Sequence, residues 1–353
     1  AVSLSGGVTA ATLTTFAQAY DVSLTGSSNA ITNAATFSNT GTVTLGDASG
    51  DVLTFTGGLT ATAPALTLAG TVRTAGQAIS LGSSSKAVTL AGTTATLDAT
   101  NNGGSTGGAD VTIDGALDGT ADNAQSLTLD AGTGGSISFT SNGVVSGGAN
   151  DLATLTVTNS NGATFAGAVA TDTSVVLTDT TDAATIQFSA DLTTPTLTTA
   201  AEAYDVSLLG GSTITNAATF SNTGTTQIGD ATADTNTFNG GVTATAGAVT
   251  AAGTIVTSED DIALGAVTLV EAQNLALDTA NSGGGNISVA SITGVFGGTS
   301  ENVTLESGSG TIGVSGAIGT DIGTLSLQEN NAGATGAVSL SGGVTAATLT
   351  TFA

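Results

Sequence analysis

The chain has 353 residues, of which 27 are Asp or Glu and only two, Arg73 and Lys86, are basic, for a formal charge of −25. Two cations cannot neutralise a run of phosphates, so nucleic acid is excluded as a partner, and an anionic membrane surface repels the chain. The sequence holds no Cys and no His, which removes a disulfide framework, a Ser–His–Asp triad, a Cys–His dyad and the usual zinc sites.

In chain order, the first element is AVSLSGGVTAATLTTFA at Ala1–Ala17, which returns letter for letter at Ala337–Ala353, 336 residues on. Such identity marks a window of a tandem array, whose repeats bury surface against their neighbours and not inside a closed globule. A diverged copy lies within this period. AQAYDVSL at Ala17–Leu24 is answered by AEAYDVSL at Ala201–Leu208, and ITNAATFSNTG at Ile31–Gly41 by the same letters at Ile214–Gly224. TFTGGLTATA at Thr54–Ala63 is answered by TFNGGVTATA at Thr237–Ala246, and LGSSSKAVTL at Leu81–Leu90 by the shorter LGAVTL at Leu264–Leu269. Phe165 through Phe188 has almost no counterpart between Asn331 and Leu340, a loss of roughly 18–20 residues. That is close to one turn of a β-solenoid, which can be lost whole. Losing part of a strand from a closed sandwich flips its inside and outside faces. The predicted organisation is one continuous solenoid with a first repeat over 1–184, a shorter second over 185–336, and the start of another over 337–353.

The apolar residues fall in short β-favouring runs (VSL, VTL, LTL, ISF, IQF) punctuated by GGAND, SGGG and NTG, and no segment holds a 3.6-residue period. Leu4, Leu24, Leu45 and Leu66 recur at steps of about twenty, with Leu13, Phe37 and Phe55 between them. This predicts an all-β chain with coils of about 19–23 residues, two or three strands to a coil, Leu, Val, Ile and Phe inward and Thr and Ser outward. Gly and Asn take the corners. Asn33 and Asn39 either stack their amides into ladders or serve as ordinary turn residues. Immunoglobulin-like sandwiches want a core Trp, and this chain has none and only Tyr20 and Tyr204. The paired AYDVSL motifs keep tandem sandwiches as the alternative architecture. A transmembrane β-barrel wants aromatic girdles, and a disordered stalk does not cluster its apolar residues.

Candidate chemistry rests on oxygen. DASGD (Asp47–Asp51) aligns with DATAD (Asp230–Asp234), so Asp47, Asp51, Asp230 and Asp234 offer paired carboxylates and backbone carbonyls to calcium, or are simply solvated turn residues. Bound divalent ions relieve the self-repulsion of an acidic chain. No other cofactor is expected. Asp110, Asp114, Asp118 and Asp122, then Glu259, Asp260 and Asp261, are the carboxylates from which a polysaccharide-cleaving pair is built, against the reading of a solvated acidic face. Lys86 lies in a polar turn that the second copy lacks, so it reads as an exposed loop lysine and not as a Schiff-base former. TLTT, TVTL and TATA raise ice binding, which requires the same threonine positions in every coil. The copy-to-copy shift drifts from 184 to 170, which predicts that these rows do not align. No apolar run reaches the length of a membrane-spanning helix.

The xVxLx strands, the phrases ATFSNTGTVTLGD and LTLDAGTGGSISF, and the Thr/Gly/Ala/Asn richness resemble giant bacterial surface proteins of the filamentous-haemagglutinin-like and β-strand-repeat families, exported by autotransporter or two-partner routes. The resemblance implies a right-handed parallel β-helix serving outside the cell, at the cell surface, as the shaft of a filament or adhesin. It carries over no functional residue. The expected function is a non-enzymatic structural fibre whose partners are further copies of itself, stacked end to end or laterally. The alternative is an adhesin that grips glycans or neighbouring cells through its lateral face.

Overall fold

The computed structural model of the protein describes residues 1–140, 143–145, 150–279, 283–328 and 335–351. The chain divides into two compact units, Ala1–Ser189 and Ala190–Ala353. Each unit is a parallel β-solenoid, built from strands of two to eleven residues, and the described residues contain no helix. The reason is the period-2 alternation of apolar and hydroxyl residues. In Val22–Leu24, Ile79–Leu81 and Val111–Ile113 the outer two side chains are buried and the middle one is half-exposed, so each strand needs a neighbour on both edges and a core on one face. Because the pairings within each unit are parallel, the sandwich alternative, which requires antiparallel hairpins, is overturned.

In the first unit Leu4, Leu24, Leu45, Leu68 and Leu90 stand in one inward column, with Val2, Val22, Val43, Leu66 and Val88 beside them. The fourth rung of the leucine column is therefore Leu68. Leu66 lies two residues earlier, in the neighbouring inward column opposite Val43, because the step from Leu45 to Leu68 is 23 residues where that from Leu24 to Leu45 is 21. A third column runs Ala61, Leu81, Ile113, Phe139, Phe165 and Phe188. Its rings stack with centroids 5.0 Å apart, Phe139 on Phe165 at 26° and Phe165 on Phe188 at 8°. Phe37 instead meets Phe55 edge-on at 6.3 Å, an arrangement that Phe220 and Phe238 repeat in the second unit.

Coil length departs from the expected 19–23 residues. The step from Val2 to Val22 is 20, but Val88 to Leu117 is 29 and Ile79 to Val111 is 32. The extra residues leave at corners, chiefly in 99–110, where Asn101, Asn102 and Gly103 hold φ of 56°, 56° and 80°. Insertions at corners do not disturb strand register. Hence the threonine rows do align, contrary to the expectation drawn from drifting coil length: Thr36, Thr60, Ser80, Thr112, Ser138 and Thr164 form an outward file with one hydroxyl per coil.

The second unit repeats the scheme. One column runs Val206, Thr226, Val249, Val267, Ile292 and Ile318, another Asn236, Ile255, Leu277, Leu305 and Leu327. The indel between copies has a simple form. In the first unit Ser83 and Lys86 exchange backbone hydrogen bonds (Ser83 N to Lys86 O 3.2 Å, Lys86 N to Ser83 O 2.9 Å), closing a turn between Ile79–Leu81 and Val88–Asp98. Without those four residues the second copy runs straight through as one strand, Ile262–Leu269.

Candidate functional site

The two aligned acidic turns fold identically. Asp51 Oδ2 accepts the N–H groups of Asp47 (2.9 Å) and Ala48 (3.0 Å), and Asp234 Oδ2 accepts those of Asp230 (2.9 Å) and Ala231 (2.8 Å). The glycine before each turn holds positive φ, 75° at Gly46 and 74° at Gly229, with a neighbouring carbonyl, of Ala69 or Ala252, 2.3 Å from where a Cβ would stand. Each turn thus closes on its own second carboxylate, Asp51 or Asp234, as Asp side chains do when they cap local backbone. The first carboxylates, Asp47 and Asp230, lie at the surface. Asp230 is nonetheless partly desolvated within its turn, and this, then the neighbouring Asp234, raises it above the ordinary carboxylate range. Among the described residues no group of three or more acidic side chains is placed to hold a metal ion. What the geometry gives at Asp47, Asp51, Asp230 and Asp234 is a pair of self-capped corners.

The carboxylates at four-residue spacing are likewise tied to backbone and hydroxyl donors. Asp110 Oδ1 accepts Ser136 N–H at 2.9 Å, Asp114 accepts the Thr140 hydroxyl, Asp118 accepts Gly119 N–H at 2.9 Å, and Asp122 accepts Asp151 N–H at 3.2 Å. Asp110 and Asp114 flank one strand and both reach the following coil. Asp118 takes an outward position under Thr89, and burial raises its pKa, as burial and the nearby Asp122 and Asp151 raise that of Asp172. In the second set Glu259 accepts Gly283 N–H at 3.1 Å and Asp261 accepts Asn286 N–H at 2.7 Å. These residues border an open hollow of about 350 Å³ whose other walls are Ala, Gly, Val and Thr.

A recurrent contact emerges that the sequence motifs alone did not assign. The aspartate of each AYDVSL motif caps the next coil. Asp21 Oδ1 accepts Thr42 N–H and the Thr42 hydroxyl, both at 2.9 Å, and Asp205 Oδ1 accepts Thr225 N–H at 2.5 Å. The Thr42 N–H, then its hydroxyl, holds Asp21 below the ordinary carboxylate range. Asp110 and Asp261 do the same from other corners, and Asn286 relays the pattern onward by accepting Thr311 N–H at 3.0 Å. The adjoining asparagines act within the same corner. Asn39 Nδ2 donates to Tyr20 O (2.9 Å) and Thr42 O (3.3 Å), as Asn222 Nδ2 does to Tyr204 O (3.2 Å). Asn33 donates across to the Thr12 hydroxyl at 2.9 Å, and Asn216 to that of Thr196 at the same distance. These amides bond backbone and threonine, so the turn reading holds and the ladder reading falls.

One groove combines several polar types. Arg73, Asp98, Asp130 and Asn159 occupy successive rungs of one corner, and beside them Thr71, Thr96 and Thr128 complete an open cleft of about 430 Å³. Asp98 is 6% exposed, and its two oxygens accept the N–H groups of Thr100 (2.7 Å) and Asn102 (2.6 Å). Asp130 accepts Gly132 N–H at 3.0 Å, and burial, with a smaller contribution from Asp98, lifts its pKa. Among the described residues no helix is long and apolar enough to cross a membrane. Set against known proteins, the chain matches no family model, no curated protein and no solved structure.

Proposed function

We propose that this chain is a structural fibre segment, working outside a bacterial cell as the repetitive shaft of a surface filament or adhesin. The observation that carries the reading is the use made of the acidic side chains. Asp21, Asp205, Asp110 and Asp261 each accept a backbone N–H of the next coil, and Asp51 and Asp234 close their own corners. Groups that a hydrolase keeps free for proton transfer here hold one coil to the next. Stacking is then the mechanism, since each coil pairs the backbone of its neighbour and adding coils adds length without new open edges.

A second reading, the adhesin whose lateral face grips glycans, is favoured by the outward hydroxyl file from Thr36 to Thr164 and by the groove at Arg73, Asp98 and Asp130. Glycan-array binding and the viscosity of polysaccharide solutions test both. The fibre reading expects neither glycan retention nor loss of viscosity. Retention abolished by Arg73→Ala establishes the adhesin, and falling viscosity establishes an enzyme. Location is checked by labelling intact producing cells with an antibody to the chain, which a surface fibre must bind.

A further inference from the structure

Two outward files of hydroxyls run side by side over consecutive coils of the first unit. One is Thr94, Ser126 and Thr154. The other, two residues along each strand, is Thr71, Thr96, Thr128 and Thr156. Between the files Ala95, Leu127 and Leu155 point inward and are at most 1% exposed, so the face is backed by packed core and does not give way. Because the strands are in register, the hydroxyls recur at about 4.8 Å from coil to coil and about 6.7 Å along each strand. Threonine is β-branched and stiff at χ1, which fixes each hydroxyl and methyl on this grid. The grid ends where the Thr154 and Ser174 hydroxyls turn to each other at 3.1 Å and Val176 follows Thr156.

The coil does not produce such a grid by itself. In the second unit the aligned file reads Thr254, Ala276, Thr304 and Ser326, and beside it stand Asn274 and Asn302. Asn274 Oδ1 accepts Asn302 N–H at 2.9 Å and Asn302 Oδ1 accepts Thr324 N–H at 2.8 Å, so these side chains are spent on the stack. In the first unit the positions are kept as hydroxyls that face outward.

The grid also carries no charge, in a chain of −25. Arg73, Asp98 and Asp130 stand two positions further along the strands, and Asp98 is turned onto the N–H groups of Thr100 and Asn102. Charge complementarity therefore points to a neutral partner. A sugar site is concave, with aromatic surface and a few convergent polar groups. A stiff grid that repeats one group in two directions is matched instead by another lattice. Ice is a neutral lattice of O–H donors and oxygen acceptors, and its exposed planes repeat at closely similar distances. Water already ordered on the grid joins that lattice at little further cost in entropy.

We infer that the face bearing Thr96 and Thr128 is an ice-binding surface. Its partner is crystalline water, so the inference goes beyond the fibre reading and does not depend on it.

The test is the ice affinity of the full chain. Ice is grown slowly from dilute solution, protein is measured in the ice and in the remaining liquid, and single ice crystals are viewed for facets. The wild type is expected to concentrate in the ice and to facet the crystals. The double variant Thr96→Lys with Thr128→Lys is expected to stay in the liquid, to leave the crystals round and to retain the wild-type circular dichroism spectrum. Thr128→Tyr, a strand-favouring change that raises a ring above the grid, is expected to lose ice affinity too, and decides the matter if the lysines unfold the chain. The matched double variant of the second unit, Ala276→Lys with Thr304→Lys, adds the same charge at the aligned positions and is expected to behave as wild type. A wild type left in the liquid overturns the inference, as do first-unit and second-unit variants that keep, or lose, ice affinity together. None of these results touches the fibre reading, which fails separately, on glycan retention, loss of viscosity or unlabelled cells.

Discussion

Phe165 and Phe188 are register partners on adjacent coils, their rings 5.0 Å apart and 8° from parallel. With Phe139 on the other side of Phe165 at 5.0 Å, the three rings form a continuous stack in which the middle one touches aromatic surface above and below. Removing it leaves a hole that a β-solenoid cannot close, since the coils on either side are held apart by their backbone pairing. Phe165→Ala is expected to destabilise the unit by about 3–5 kcal/mol, and Phe165→Leu by distinctly less. Urea unfolding followed by circular dichroism measures both, and equal losses for the two substitutions contradict the stack.

The same pair shows what the sequence made legible. Phe165 and Phe188 bound the segment absent from the second copy, and their pairing makes that segment one coil, as its length implied. Leu4, Leu24 and Leu45 fell into one column for the same reason, a steady step near twenty. Leu66 did not, because two residues added in a turn leave the strands in register but put Leu68, and not Leu66, opposite Leu45, and a turn length carries no apolar signal. The aligned hydroxyl file was hidden behind the same irregularity, since drift in coil length looks like drift in register until the insertions are seen to sit at corners. The Asp21–Thr42 and Asp205–Thr225 caps were out of reach for another reason. Their partners lie 21 and 20 residues away, a distance set by the coil and not by any local spacing. The repeated AYDVSL was the available sign that Asp21 and Asp205 matter, and DASGD with DATAD marked corners correctly without disclosing that the last carboxylate closes each turn.

Asn236 gives a test in the opposite direction, toward added stability. It is fully buried in the inward column above Ile255, and neither its amide nitrogen nor its oxygen has a hydrogen-bond partner. The aligned position of the first copy is Leu53, also fully buried. An unpaired amide in an apolar column costs about 1–3 kcal/mol, so Asn236→Leu is expected to stabilise the second unit by roughly that amount, read as a higher urea midpoint at unchanged slope. A lower midpoint shows that the amide is satisfied in solution.

Acid affects the two kinds of carboxylate with opposite sign. Asp118, Asp130, Asp172 and Asp230 are held above their ordinary value, in each case by burial first. Ionised, they oppose folding, and that penalty is relieved as pH falls through their raised values. Asp21 is held down by Thr42, so its contribution is present above the unfolded value and lost as pH falls through the folded one. The melting temperature is therefore expected to rise from pH 7 to about pH 4–5 and to fall again below about pH 3, with relief of the general acidic repulsion adding to the rise. Asp130→Asn keeps an oxygen for the Gly132 N–H and removes the charge. It is expected to melt above wild type at pH 7 and to converge with it near pH 3. A variant that melts lower at pH 7 refutes the assignment of burial as the dominant effect at Asp130.

The turn at Ser83–Lys86 is the clearest place to ask whether corners are separable from the stack. Its backbone bonds close on themselves, Ser84 and Ser85 are exposed, and the second copy joins the flanking segments directly in Ile262–Leu269. The strands it interrupts are held from outside the turn, Ile79–Leu81 by Leu59–Ala61 and Val111–Ile113, and Val88–Leu90 by Leu66–Leu68 and Leu117–Gly119. Deleting Ser83, Ser84, Ser85 and Lys86 converts LGSSSKAVTL into the LGAVTL of the second copy. Gly82 must then leave its positive φ of 70° for an extended conformation, which glycine does freely. The deletion is expected to leave the circular dichroism spectrum unchanged and to alter stability by less than about 1 kcal/mol, in line with surface changes that touch no core contact. It also removes one of the two basic residues, so trypsin should cut the unfolded chain only at Arg73. A loss of folding would mean that the turn, and not the register of its neighbours, sets where Val88–Asp98 begins.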